Sequence, residues 1–153
     1  MAFAYRRCEF RKATRSEPPD KSCVHIARGY GLVVIRDTKQ EWGSENDHHI
    51  VMPAEVFDMA QTALRSAGVL EADVPTKVLE HSALHLVRLG TDRNVMSCTL
   101  SRDTELPRSL EFTDAEIVAW LHGIHNREFD RETTRGIHNA QCLCRGASLT
   151  VAA

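Results

Sequence analysis

No stretch of this 153-residue chain comes near the ~18 consecutive apolar residues of a membrane helix. Met1 to Arg7 lacks the apolar core of a secretory signal, so a cytoplasmic, non-membrane protein is the expectation. Cysteine is sparse: five residues, an odd number without regular spacing, fit free thiols and not a disulfide frame. An excess of one charge is missing too. The net charge of −2 argues against binding nucleic acid through bulk charge, although Arg6, Arg7, Arg11, Lys12 and Arg15 cluster near the start. Absent as well are a glycine-rich phosphate loop, a Ser–His–Asp order and a Cys–His dyad. His138, Cys142 and Cys144 invite a metal reading, with His48, His49, His122 and His125 to complete it. Their spacing suits no standard zinc site, so neither a metal nor a cofactor is expected.

What the chain does have is an internal echo. Ser22–Cys23–Val24–His25–Ile26–Ala27–Arg28 returns as Ser82–Ala83–Leu84–His85–Leu86–Val87–Arg88. Arg36–Asp37–Thr38 returns as Arg102–Asp103–Thr104, and Ala54–Glu55–Val56 as Ala115–Glu116–Ile117. Three anchors in one order predict two copies of one small unit. A copy of about 60–70 residues is marginal alone, so the copies should share a core or pack tightly.

The local patterns predict elements. Residues 2–10 suit an edge strand, and Pro18–Pro19–Asp20 marks a loop. Residues 23–28 alternate as a strand, with Val24 and Ile26 facing one way and Cys23, His25 and Ala27 the other. Gly29–Tyr30–Gly31 supplies a hairpin turn, and Leu32–Val33–Val34–Ile35 reads as a strand covered on both faces. A loop over 38–47 and a third strand over 48–52 follow. Pro53 then opens a helix with Val56, Phe57, Ala60, Ala63, Leu64 and Ala67 on one face, stopped by Gly68. In the second copy, residues 78–88 predict one strand, 90–94 a turn and 95–100 a half-exposed strand. Thr113–Asp114–Ala115–Glu116 is a capping box for a helix that buries Ile117, Val118, Leu121 and Ile124, with Trp120 at its margin. Residues 131–153 read as a loosely attached tail, or as a segment that adds an extra strand at 147–151.

The expected fold is therefore α+β. Two β-hairpin-plus-helix repeats, 1–70 and 71–130, are related by a pseudo-twofold, with either one antiparallel or mixed sheet or two small sheets face to face, packed on two helices.

The first copy resembles a small actinomycete domain, domain-of-unknown-function family 397. The residues that carry the likeness are Phe10–Arg11–Lys12, Cys23–Val24–His25–Ile26–Ala27, Val34–Ile35–Arg36–Asp37–Thr38–Lys39 and Met52–Pro53–Ala54–Glu55–Val56–Phe57. The second copy carries it more faintly, in Arg102–Asp103–Thr104, Leu110 to Glu116 and Arg127–Glu128–Phe129–Asp130. His25 stands where the family has an acid, and Val56 and Ile117 where it has tryptophan. The resemblance implies an antitoxin-like or regulatory protein, partner to a helix-turn-helix regulator. It carries over no catalytic residues.

The residues themselves leave two readings open. His25 and His85, each three residues before an arginine, line one groove with Arg28 and Arg88 if the copies face each other. Such a groove suits a small anionic ligand, with histidine exchanging protons near neutral pH. Otherwise they repeat a structural role on a solvated strand face. Asp37 and Asp103 are either Asx-turn formers at strand ends or carboxylate bases beside the histidines. Arg36 and Arg102 beside them suit an ion pair or an anion. Trp42, alone in a polar loop, is a candidate for stacking on a protein partner together with Phe3, Tyr5 and Phe10. The first reading of function is a non-enzymatic regulatory or interaction protein that does not hold DNA by itself. The second is a small-molecule sensor or accessory enzyme of secondary metabolism with a site between the repeats.

Overall fold

A computed structural model of the chain describes residues 2–14, 24–66, 77–81, 83–99, 109–133 and 148–152, with the backbone alone at 2–4, 8, 77–81 and 148–152. The protein is α+β. Strand β1 (Ala2–Arg6) runs into a 3-10 turn over Arg7–Glu9. Strands β2 (Val24–Gly29), β3 (Leu32–Asp37) and β4 (His49–Pro53) form an antiparallel sheet in sequential order, followed by helix α1 (Ala54–Ser66). Strands β5 (Lys77–His81), β6 (Leu84–Gly90), β7 (Arg93–Cys98) and β8 (Ser109–Phe112) form a second antiparallel sheet, followed by helix α2 (Asp114–His125). The last strand, β9 (Ser148–Ala152), returns to pair with β1.

The two sheets and two helices enclose one core. Val24, Ile26, Val33, Ile35, Ile50 and Met52 face it from the first sheet, and Leu84, Leu86, Met96, Cys98, Leu110 and Phe112 from the second. Helix α1 adds Phe57, Ala60 and Leu64; α2 adds Ile117, Trp120, Leu121 and Ile124. Burial of this many large apolar side chains is the main force joining the halves. The other face of the first sheet (Ala27, Val34, Val51) is covered by Tyr5 and Phe10, with Leu32 and Trp42 at the edge. Residues 32–35 are thus covered on both faces, as their unbroken apolar run predicts.

Strand pairing gives the register. Gly29 pairs with Leu32, leaving Tyr30 and Gly31 as a two-residue turn at φ 57° and 74°. Gly90 pairs with Arg93 after an irregularity at Leu89, leaving Thr91 and Asp92. Both turns are bonded to the first residue of the following helix, by different chemistry. Ala54 N–H donates to the Gly31 carbonyl at 2.9 Å. Asp114 N–H donates to Asp92 Oδ1, and Asp92 N–H donates to Asp114 Oδ2, each at 3.3 Å.

Several expectations need correction. Residues 78–88 are not one strand: they fold into the β5–β6 hairpin, because Leu79 and Leu86 pair across it. The second turn is only Thr91–Asp92, and Asn94 is buried in β7, where its amide donates to the Phe112 carbonyl. Trp120 is not marginal but 1% exposed, a member of the shared core. In α1, Gln61 is buried while Val56 and Ala63 are only half-buried. Helix α1 begins at Ala54 and α2 at Asp114. The capping box is as expected, with Thr113 and Glu116 exchanging side-chain-to-backbone bonds at 3.3 Å. The expected extra strand at 147–151 is β9, at Ser148–Ala152. Residue 67, Gly68 and the rest of the inter-copy connection to 76 lie outside the described residues.

Candidate functional site

The arginines singled out in the sequence are each matched by a carboxylate where they are described. Arg28, at the end of β2, forms a bidentate pair with Asp58 of α1, at 2.7 and 2.6 Å. That bond holds the Asp58 carboxyl below its ordinary range. Around the same residue, Thr133 N–H donates to the Arg28 carbonyl at 2.6 Å, which fastens the segment after α2 to β2. Arg88 pairs with Asp114 at 2.9 Å. Asp114 also accepts from the Asn94 amide at 2.8 Å, and these bonds, Asn94 foremost, hold its carboxyl low.

Arg36 is buried on the outer face of the first sheet. Its Nε donates to Asp47 Oδ1 at 3.0 Å and its Nη2 to the Gln40 carbonyl at 3.0 Å. Trp42 lies over the guanidinium at 4.8 Å and meets Phe10 edge-on at 5.6 Å. The ring expected to stand free in a polar loop is therefore half-buried, because the loop folds back on Arg36 and the N-terminal segment. His25 on β2 and His49 on β4 both stand opposite Arg36, so the sheet places two imidazoles in one row with a buried ion pair. Asp47 escapes sequence reasoning, and His49 enters it only as a metal candidate: nothing marks the loop as returning to the sheet.

His85 stands on the outer face of the second sheet, opposite Ser97. His25 and His85 hold the same place, second in β2 and in β6, but on two different sheets. Asp37 faces Val24 and not His25. It accepts from Lys39 N–H at 3.0 Å, the Asx-turn of the sequence reading, and pairs with Lys39 Nζ at 3.0 Å. Arg102 and Asp103 lie outside the described residues, as do His138, Cys142 and Cys144; His85 and Leu84 of β6 pair with Ser97 and Cys98 of β7.

A cleft does form between the two units, and it uses other residues. It measures about 350 Å³ and runs between the 37–48 loop and β8. Asp37, Lys39, His48, Asp92 and Glu111 line it, over Leu110 and Phe112. Lys39 bridges the units, its Nζ 2.9 Å from Glu116 Oε2 and 5.0 Å from the Phe112 ring centre. Neither histidine of the repeated pair, nor Arg28, Arg36 or Arg88, lines this cleft. Among the described residues no group of three or more His, Cys, Asp and Glu side chains could hold a metal ion. No helix among them is long and apolar enough to cross a membrane.

No family model matches the chain, and neither a curated protein nor a solved structure is similar to it. The class the described residues define is an α+β protein in which a three-stranded and a four-stranded sheet and two helices surround one core, with β1 and β9 paired as a separate two-stranded sheet.

Proposed function

We propose that the protein is a cytoplasmic, non-enzymatic interaction protein that binds another protein through the outer face of β6 and β7. The observation behind this reading is an asymmetry between the sheets. The outer face of the first is covered by Tyr5, Phe10 and Trp42. On the second, Val87 is 38% and Leu89 57% exposed, beside the exposed Arg93–Glu111 ion pair. An apolar patch with a charged rim is what a protein interface requires. The resemblance to the family-397 domain points to a helix-turn-helix regulator as the partner. The two units are read as copies related by an approximate twofold. Support comes from the paired residues Ile35–Ile50 and Met96–Leu110, offset by 61 and 60 residues, and from the 60-residue offset that relates Phe57, Ala60 and Leu64 to Ile117, Trp120 and Ile124.

The test is coexpression with the helix-turn-helix regulator encoded nearest to the chain. The expected result is a complex that Val87→Glu with Leu89→Glu weakens by about tenfold or more, the effect of losing ~1.4 kcal/mol. A complex untouched by that variant, or none with the wild-type chain, would refute the reading. A second reading, a small molecule in the inter-unit cleft, draws on the mixed lining of Asp37, Lys39 and His48 over Phe112. Ligand binding lost with His48→Ala and Asp37→Asn would favour it.

A further inference from the structure

We infer that the outer face of the second sheet packs against the same face of a second copy of the chain, in a reversible twofold dimer. The outer face of the first sheet is already closed within the chain, by Tyr5, Phe10 and Trp42. That of the second is open: Val87 and Leu89 are exposed on β6, Val95 is half-buried on β7 and Glu111 is exposed on β8. Strand register lays this face out in rows. One row crosses all four strands as Lys77–Val87–Val95–Glu111, with β5 meeting β6 past an irregularity at Val78. It has valines in the middle, a basic residue at one end and an acidic residue at the other. The next outward row is Glu80–His85–Ser97–Ser109.

This order selects both the occupant and the axis. A twofold parallel to the strands, between β6 and β7, reverses each row on the facing copy. Val87 then meets Val95 of the second copy and Lys77 meets its Glu111, and each contact occurs twice. In the next row Glu80 falls on Ser109 and His85 on Ser97, so no like charges meet. A twofold across the strands instead sets Lys77 on Lys77 and Glu111 on Glu111, which like-charge repulsion disfavours. Glu111 has room for a second cation: Arg93 Nε takes its Oε1 at 3.1 Å, and its side chain is 56% exposed. The favoured axis also keeps the strands of the two copies aligned, as face-to-face sheets require. Strands β5 to β8 have 5, 7, 6 and 4 residues. At about 4.8 Å between strands and about 3.3 Å per residue they present roughly 350 Å². That is below the ~800 Å² per partner of a standard stable interface, so the dimer dissociates readily. The inference uses the face of the partner reading and rests on that reading for its consequence: the dimer conceals the surface that a regulator would take.

The experiment is sedimentation equilibrium of the full chain alone, from micromolar to millimolar concentration. The mass should rise from that of one chain towards that of two. Val87→Glu should raise the dissociation constant by about tenfold or more. Lys77→Glu and Glu111→Lys should each weaken self-association by a similar factor, because each sets like charges together. Mixed in equal amounts, those two variants should form a mixed dimer at least about tenfold tighter than either forms alone, since both charge contacts are then opposite in sign. Arg127→Gln, away from the face, should associate as wild type. Should Val87→Glu not fold, the mixing experiment carries the test. Three results would overturn the inference: the mass of one chain at millimolar concentration, self-association unchanged by a folded Val87→Glu, or a mixture no tighter than its components. A dimer that meets these tests with no regulator complex removes the partner reading alone; a regulator complex formed by a strictly monomeric chain removes this inference alone.

Discussion

Lys39 Nζ lies 2.9 Å from Glu116 Oε2, and this contact ties the first sheet to the first turn of α2. The same carboxylate accepts from Thr113 N–H in the capping box. One cation of the first unit therefore steadies the helix start of the second, where the dipole already favours a carboxylate. Asp37 holds the lysine from the other side at 3.0 Å.

Lys39→Met should therefore destabilise the protein by about 1–3 kcal/mol, because Asp37 and Glu116 stay buried without their cation. Lys39→Met combined with Glu116→Gln should lose less than the sum of the two single variants. Urea denaturation of the four proteins measures the coupling, and strict additivity would show the pair to be independent.

Trp42→Ala should cost about 2–4 kcal/mol, in contrast to the small effect of truncating a free loop residue. The ring packs on Phe10 and on the guanidinium of Arg36, so its loss opens the outer face of the first sheet. A melting curve identical to wild type would show that the loop does not hold the ring there.

Gly123→Ala reverses the usual helix rule. Alanine normally gains about 1 kcal/mol over glycine in a helix interior. Here its Cβ would meet Phe129 Cε2 at 2.7 Å, Glu128 Oε2 at 2.8 Å and Ala13 Cβ at 2.9 Å. The expected outcome is a net loss of about 1–3 kcal/mol by chemical denaturation, the usual cost of overpacking.

Stability should fall in acid through Asp58 and Asp114. Both carboxyls are held low in the fold, Asp58 chiefly by Arg28 and Asp114 chiefly by Asn94. Their stabilisation is present above the unfolded aspartate value of about 3.9 and is lost as pH falls through the lower folded values. Asp58 is 47% exposed in its side chain, so its share is at most about 1 kcal/mol. Asp58→Asn should flatten the decline of stability between about pH 5 and pH 2; an unchanged slope would assign the decline elsewhere.

Tyr5 should resist ionisation until the protein unfolds. It is fully buried, its hydroxyl donates to the Gly29 carbonyl at 2.8 Å, and burial pushes its proton affinity well above the ordinary tyrosine range. Stability contributed by this group is full below about pH 10 and declines as pH rises towards the higher folded value. With only two tyrosines in the chain, Tyr30→Phe leaves Tyr5 as the sole phenol in an ultraviolet titration. A normal titration midpoint in that variant would place Tyr5 in water.

The sequence by itself determined what depends on near neighbours along the chain. The β2–β3 hairpin follows from Tyr30–Gly31 between β-branched runs, and α2 from Thr113 and Glu116, because turns and caps are decided within a few residues. The double coverage of residues 32–35 was legible in their composition, and the α+β class in the order of elements. Tertiary structure decided what depends on residues brought together from a distance. No local signal assigns Asp58 to Arg28 or Glu116 to Lys39, 30 and 77 residues apart. The 38–47 loop reads as solvated, yet Asp47 and Trp42 fold back on Arg36, since a buried guanidinium needs a carboxylate wherever the chain can supply one.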